Sequence, residues 1–354
     1  MNDLHSKLRV FSPTYDAIGW GFDYPQVVDL ATALAQPIRI AALPVYYENP
    51  KMFSWRPEFK GIDISQFDLV LFTDIEYRRQ SELLPWIEST GCKNWLLCVG
   101  GLYASEPLSE KVVHRTPWSF NFLEWNPVRD DFPLDRPFMW ECLHGTRRAH
   151  RDYVMMAFQE SGLLDRSIVT YRDIFVGAEI NQTPDNIQAC FPNTKLAWPY
   201  VSSNLNPAWE VRSGKLDNSI SGEVPWDIWN RCYYSIMVET LNHGDCFLMA
   251  EKAGKCFFAR RLFVHFGVRH YLKNLHELGF QTFNNVIDES YDSIESDLDR
   301  WQAAFEQVKA LSQEDPKFVL EKIRPVLDHN HRRLFALKEE KRIELTNLVM
   351  AHLK

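Results

Sequence analysis

Along the chain, short apolar runs spaced for strands alternate with stretches whose apolar residues recur at helical spacing. The first run, LRVFSPT, predicts a strand, followed by the loop YDAIGWGFDYP and a helix from about Gln26 to Ala35. IRIAALP predicts a second strand leading into the aromatic loop VYYENPKMFSWRPEF, and FDLVLFTD a third ending at Asp74-Ile75-Glu76, with the helix SELLPWIEST behind it. NWLLCVGG predicts a fourth strand with a turn at Gly100-Gly101, and WSFNFLEW a fifth. Proline and charge concentrate in RDDFPLDRP, which is read as a linker between domains.

The second half repeats the alternation. FMWECLHG predicts a strand, TRRAHRDYVMMAFQESGLL a helix, SIVTYRD a strand, and VPWDIWNRCYYSIMVET a helix feeding a central strand. From Ser235 to Phe266 the chain reads as a strand (SIMVE), a loop, a helix opening at Ala250-Glu251-Lys252, and a second apolar strand, LFVHF. The helix YLKNLHELG ends on Gly279 as a C-cap, FQTF predicts another short strand, and the tail is almost continuous amphipathic helix. Strands alternating with helices imply an α/β fold with parallel sheets, and 354 residues suit two domains of similar size.

Composition narrows the class. Hydrophobic residues make up 45% and aromatics 14%, enough for sizeable cores. No apolar run approaches the roughly 18 residues needed to span a bilayer, and no signal-type stretch follows MNDLHSKLRV, so a cytoplasmic protein is expected. The seven cysteines stand without a CxxC pair and read as reduced thiols rather than a zinc site. A net charge of −8 excludes a protein coated in basic surface, although local clusters remain: Arg147-Arg148-His150-Arg151, Lys255-Arg260-Arg261 with Arg269, and His331-Arg332-Arg333. Each is dense enough to meet phosphates, although a cluster of this kind is more often a solvated helix face.

Candidate chemistry gathers where loops leave strands. Glu251 and Lys252 open a helix after a loop, so free helix N–H groups and an ammonium would meet a diphosphate, while Glu251 accepts bonds from ribose hydroxyls. Glu239 faces the same crevice; the plain alternative is a Glu-Lys pair solvated at a helix start. Arg147 and Arg151 follow a strand and a glycine at another helix start, a second anion-binding arrangement or else surface charge. Gly19 and Gly21 form only a G-x-G. Asp74 and Glu76, at a strand end, are candidates for a general base, with Asp16 and Asp23 as rivals and a helix cap as the alternative for Asp74. His265, with Gly267 and Val268, sits where a loop would contact a nucleotide, although a lone histidine also fits a satisfied core position.

Glu239, followed after a loop by FLMAEK, resembles the donor-site signature of GT-B glycosyltransferases, in particular the acidic residue and TEK of fucosyltransferase-like enzymes, with Ala250 in place of threonine. The separation of Glu239 and Glu251, 251 − 239 = 12, is longer than usual in that signature. The segment His270 to Ile294 is similar to a block in glycosyltransferase-like proteins of tailed phages, and the likeness covers roughly Phe138 to Leu311. The resemblance implies a GT-B fold: an acceptor-binding Rossmann-like domain over 1–135, a nucleotide-sugar-binding one over 136–325 facing it across a cleft, and a helix over 326–354 crossing back. It further implies a UDP-sugar donor, no metal requirement, and transfer of glucose or arabinose to 5-hydroxymethylcytosine in double-stranded phage DNA. Lys51, Phe53, Trp55, Arg56 and Lys60 would then line the DNA cleft. A transferase acting on cell-surface glycan and a non-catalytic nucleotide- or DNA-binding scaffold are the alternatives.

Overall fold

The structure, a computed structural model, describes residues 8–12, 26–49, 52–55, 61–74, 79–114, 123, 126–129, 132–172, 182–205, 222–241 and 244–353, and leaves out the side chains of 46–49, 52–55 and 74. The chain divides into two compact units: unit 1 comprises Met1–Phe122, Asp245–Glu251 and Phe335–Lys354, and unit 2 comprises Leu123–Gly244 and Lys252–Leu334.

Unit 1 opens with β1 (Val10–Phe11), β2 (Val27–Val28), α1 (Leu30–Leu34), β3 (Ile40–Asn49), β4 (Met52–Trp55), β5 (Leu69–Asp74), α2 (Gln80–Ser89), β6 (Trp95–Val99), β7 (Gly101–Tyr103) and β8 (Val112–His114). The sheet runs β2-β1-β3-β5-β6-β8, all pairs parallel, with β4 antiparallel on β3. Its strands are continuous apolar runs because both faces are covered. Val10, Ile40, Ala42, Leu69, Leu71, Leu96 and Cys98 face one side, while Phe11, Ala41, Leu43, Val70, Phe72, Leu97 and Val99 face the other with Ala33, Leu83 and Ile87 of α1 and α2. Gly101 does not turn the chain but begins β7.

Unit 2 continues with β9 (Phe138–His144), α3 (Ala149–Glu160), β10 (Ser167–Tyr171), α4 (Asp185–Cys190), β11 (Tyr200–Val201), α5 (Trp226–Trp229) and β12 (Cys232–Val238). The chain then makes β13 (Cys246–Leu248), α6 (Glu251–Phe258), β14 (Phe263–Phe266), α7 (Tyr271–Glu277), α8 (Asp297–Leu311) and α9 (Pro316–His352). β13 belongs to unit 1, where it pairs antiparallel with β7. Residues of α9 from Phe335 onward also belong to unit 1, and Leu345 and Val349 complete one face of its core. Burying two such side chains stabilises that unit by about 1.5–3 kcal/mol each.

The sheet of unit 2 runs β11-β10-β9-β12-β14, with β9, β10, β12 and β14 parallel and β11 antiparallel at the edge. The chain leaves β9 through α3 to β10 on one side, then resumes on the other with β12, α6 and β14. The order therefore reverses between β9 and β12, the place where open α/β sheets receive ligands beyond the carboxyl ends of their strands.

The predicted strand FQTF is not one. Asn330 of α9 takes the place of a neighbouring strand: its amide Nδ2 donates to the Gln281 carbonyl at 2.8 Å and its Oδ1 accepts from the Gln281 N–H at 2.8 Å. Phe280 is thereby held flat on Phe257, ring centroids 4.1 Å apart, and Phe283 edge-on to Phe263. The helix before it ends as the sequence predicts, on Gly279 at φ +84°, where Arg333 Nε donates to the Leu278 carbonyl at 2.6 Å. The predicted strand WSFNFLEW lies, but for Leu123, outside the described residues.

Candidate functional site at the carboxyl edge of the unit 2 sheet

β9 ends on His144, and Gly145 to Arg148 carry the chain into α3. Arg148 is the N-cap residue in extended conformation (φ −154°, ψ 155°) and makes no capping bond with its side chain; its carbonyl accepts from the Arg151 and Asp152 N–H groups at 3.0 and 2.9 Å, which leaves those of Ala149 and His150 to other acceptors. Arg147 is buried. It meets Asp152 in a bidentate pair, Nε to Oδ1 at 3.1 Å and Nη2 to Oδ2 at 2.9 Å, and Nη2 also donates to Thr183 Oγ1 at 3.0 Å. The Tyr171 hydroxyl donates to the same Asp152 carboxylate, and the Trp198 ring lies 5.0 Å below the guanidinium. Arg151, also buried, donates from Nη1 to the Thr146 carbonyl at 2.6 Å and so braces the loop from inside.

β12 delivers Glu239, only 2% exposed, just past its carboxyl end. The Tyr271 hydroxyl donates to its Oε1 at 2.9 Å, and its backbone carbonyl meets His150 Nε2 at 2.8 Å. His265 stacks on Tyr271 with centroids 3.9 Å apart. Its ring covers Gly267: a Cβ there would stand 2.6 Å from His265 Nε2 and 3.1 Å from the Leu241 carbonyl oxygen, so any other residue would have to displace the ring. Arg300 of α8 donates to the Gly267 carbonyl from Nε at 3.1 Å and Nη2 at 3.0 Å. Cys142 Sγ and His144 Nε2 lie 2.9 Å apart on one face of β9.

Three buried imidazoles thus share this edge, and all are held well below the ordinary histidine range. Burial is the largest cause for each, and neighbouring cations reinforce it: Arg151 and Lys252 for His144, Arg151 and Arg148 for His150, Arg300 for His265. Burial likewise pushes the Cys142 thiol well up, so the Cys142–His144 pair is neutral rather than a thiolate and imidazolium. Among the described residues, His144 Nδ1, His150 Nδ1 and His265 Nε2 find no hydrogen-bond partner. The edge therefore sets cations beside buried, neutral rings that each keep one nitrogen without a hydrogen bond.

Of the residues singled out in the sequence, Arg147, Arg151, Glu239, Lys252, His265 and Gly267 belong to this unit, and Glu251 opens α6 beside Lys252. Ala250 directly precedes that helix and is buried. Asp74 closes β5 of unit 1, with its side chain outside the description; Asp16, Gly19, Gly21, Asp23 and Glu76 lie outside the described residues. Lys51, Arg56 and Lys60 lie outside them as well, and Phe53 and Trp55 fall on β4 without described side chains.

Several members of the basic clusters are buried rather than set on solvated helix faces. Arg147, His150 and Arg151 are internal. Arg261 is 2% exposed, donating to Ser235 Oγ at 2.8 Å and to the Trp229 and Cys232 carbonyls at 3.1 and 2.9 Å, with Glu141 as its buried counter-charge. Arg260 pairs with Asp328 at 2.9 Å, and His331 Nδ1 meets the Phe258 carbonyl at 2.7 Å. Sequence reasoning gave no role to His144, Tyr271 or Arg300; the spacing of Cys142 and His144, two residues apart on a strand, was the available signal for the first.

Among the described residues no three His, Cys, Asp or Glu side chains gather to hold a metal ion, and no helix is long and apolar enough to cross a membrane. No protein-family model, no curated protein and no solved structure matches this chain.

Proposed function

We propose that the chain is a glycosyltransferase of GT-B type whose unit 2 binds the diphosphate of a nucleotide-sugar donor at the carboxyl ends of β9, β12 and β14. The observation that carries this reading is the convergence, at the point where strand order reverses, of the uncapped start of α3, Arg148, Arg151 and Lys252 with the buried carboxylate Glu239. Helix N–H groups and fixed cations in a water-poor edge neutralise the charge that develops on a departing nucleoside diphosphate, and being preorganised they cost no reorganisation during the reaction. Arg147 is a positioning residue here. Its charge is spent on Asp152, and it fixes the loop from which Arg148 emerges.

Glu239 is held by Tyr271 close to this edge, as a group that accepts hydroxyl hydrogen bonds from the donor would be. Asp74, Glu76 and Asp16 stay proposed as the acceptor-side base. The resemblance points to hydroxymethylated cytosine in DNA as acceptor and UDP-glucose or UDP-arabinose as donor. The internal placement of Arg147, Arg151 and Arg261 leaves DNA contact to other residues, so a glycan acceptor stands as the second reading.

The test is mass spectrometry of duplex DNA, with and without hydroxymethylcytosine, incubated with a panel of UDP- and GDP-sugars. A gain of one sugar on the modified DNA alone is the expected outcome. Donor hydrolysis without transfer keeps the enzyme and moves the acceptor to glycan, and neither product removes the enzymatic reading.

A further inference from the structure

The anion-binding reading of the unit 2 edge leaves three buried rings unexplained. An anion site served only by arginine, lysine and helix N–H groups has no need of neutral imidazoles, and burying an uncommitted ring nitrogen costs free energy. His144, His150 and His265 each carry such a nitrogen within one cluster, at the ends of β9 and β14 and in the first turn of α3.

We propose that this edge takes up protons from solvent when it takes an anion: a diphosphate or another dianion seated at the start of α3 is met by the rings of His150 and His144 in protonated form. The inference rests on the proposed donor site and adds its linkage to pH. The surroundings of each ring supply the reason. His144 has Cys142 on its own strand, the Tyr171 ring of β10 at a centroid distance of 5.5 Å, Arg151 and His150 from α3, and Lys252 from α6. His150 has Arg148 and Arg151 on its own helix, the Glu239 carbonyl past β12, His265 of β14, and the Trp301 ring of α8 at 5.8 Å. His265 has Tyr271 of α7, Arg300 of α8 and the Tyr291 hydroxyl, which lies 3.4 Å from its backbone nitrogen.

The charged side chains around the first two rings are cations. Of the nearby carboxylates, Asp152 is paired with the Arg147 guanidinium, while Glu239 keeps its charge, its Oε1 accepting from the neutral Tyr271 hydroxyl, and meets His150 through its backbone carbonyl. Without a ligand, the field therefore opposes a proton on either ring. A dianion placed among those cations reverses the field and accepts the new N–H directly, so the same rings gain protons. By linkage, a ligand that raises proton affinity binds more tightly as pH falls, reciprocally and by the same factor.

The probe is sulfate, whose own charge is constant across the working pH range, titrated calorimetrically into the whole chain in buffers of differing ionisation heat. We expect net proton uptake near neutral pH and an affinity that rises toward tenfold per pH unit for each fully coupled proton as pH is lowered from about 7.5 to about 6. His150→Gln and His144→Asn should each reduce the proton count. Sulfate binding with no proton uptake, uptake unchanged in both variants, or no sulfate binding would each overturn the inference. Sulfate bound with proton uptake but not displaced by any nucleotide sugar removes the donor-site reading and leaves this one. A nucleotide sugar bound without proton uptake does the reverse.

Discussion

At the scale of single residues, the tightest constraint at the candidate site is Gly267 under His265. A methyl group there would meet the imidazole at 2.6 Å and the Leu241 carbonyl oxygen at 3.1 Å, so Gly267→Ala should destabilise unit 2 by about 1–3 kcal/mol. Combined with His265→Ala, the cost should be less than the sum of the two single changes, because the second removes the ring that the first strikes; urea unfolding of the wild type and the three variants measures this coupling. Additive costs would show that the close contact is not the cause. The Glu141–Arg261 pair behaves differently. Arg261→Met strands a buried carboxylate already held above its ordinary range by burial and should cost about 3–5 kcal/mol, whereas converting both partners to apolar residues should cost much less.

Elements were more legible in the sequence than their partners. FDLVLFTD and NWLLCVGG read as strands because a parallel sheet covered on both faces needs uninterrupted apolar runs, and β5 and β6 occupy them. FQTF was misread because Asn330, 49 positions from Gln281, supplies the hydrogen bonds that a strand would have made. Asn330→Ala should therefore cost about 1–3 kcal/mol and raise amide exchange at Gln281, by leaving its N–H and carbonyl unmatched; exchange unchanged at Gln281 would refute the strand-substitute account. That Arg147, read as an anion-binding residue or else a surface charge, is internal was not legible for a related reason. What buries Arg147 is Asp152, Tyr171 and Trp198, residues that no local pattern joins to it. β13 was missed since three residues pairing with β7 across a long separation leave no periodicity to read.

Across the whole molecule, the three neutral histidines set a pH dependence of stability. Each ring binds a proton in the unfolded chain near its ordinary value of about 6.5 but resists one in the fold, so the unfolded state binds more protons as pH falls. Their contribution is complete above about pH 7 and declines below about 6.5, at up to about 1.4 kcal/mol per unit per ring. Glu289 and Asp292, buried and raised above the ordinary carboxylate range, oppose that decline as they in turn take up protons in the fold. Denaturant midpoints at a series of pH values between about 7.5 and 5 should fall with pH, and saturating sulfate should flatten the fall. A midpoint independent of pH across this range would contradict the burial of neutral rings.

The central claim is that the carboxyl edge of β9 and β12 holds the diphosphate of a nucleotide sugar, and the most direct measurement is calorimetric titration of UDP- and GDP-sugars into the wild-type chain and into Arg148→Ala and Lys252→Ala. The account predicts binding of one nucleotide class that weakens about tenfold, or about 1.4 kcal/mol, in each variant while the unfolding midpoint stays unchanged. Affinity equal to wild type in both variants would contradict it.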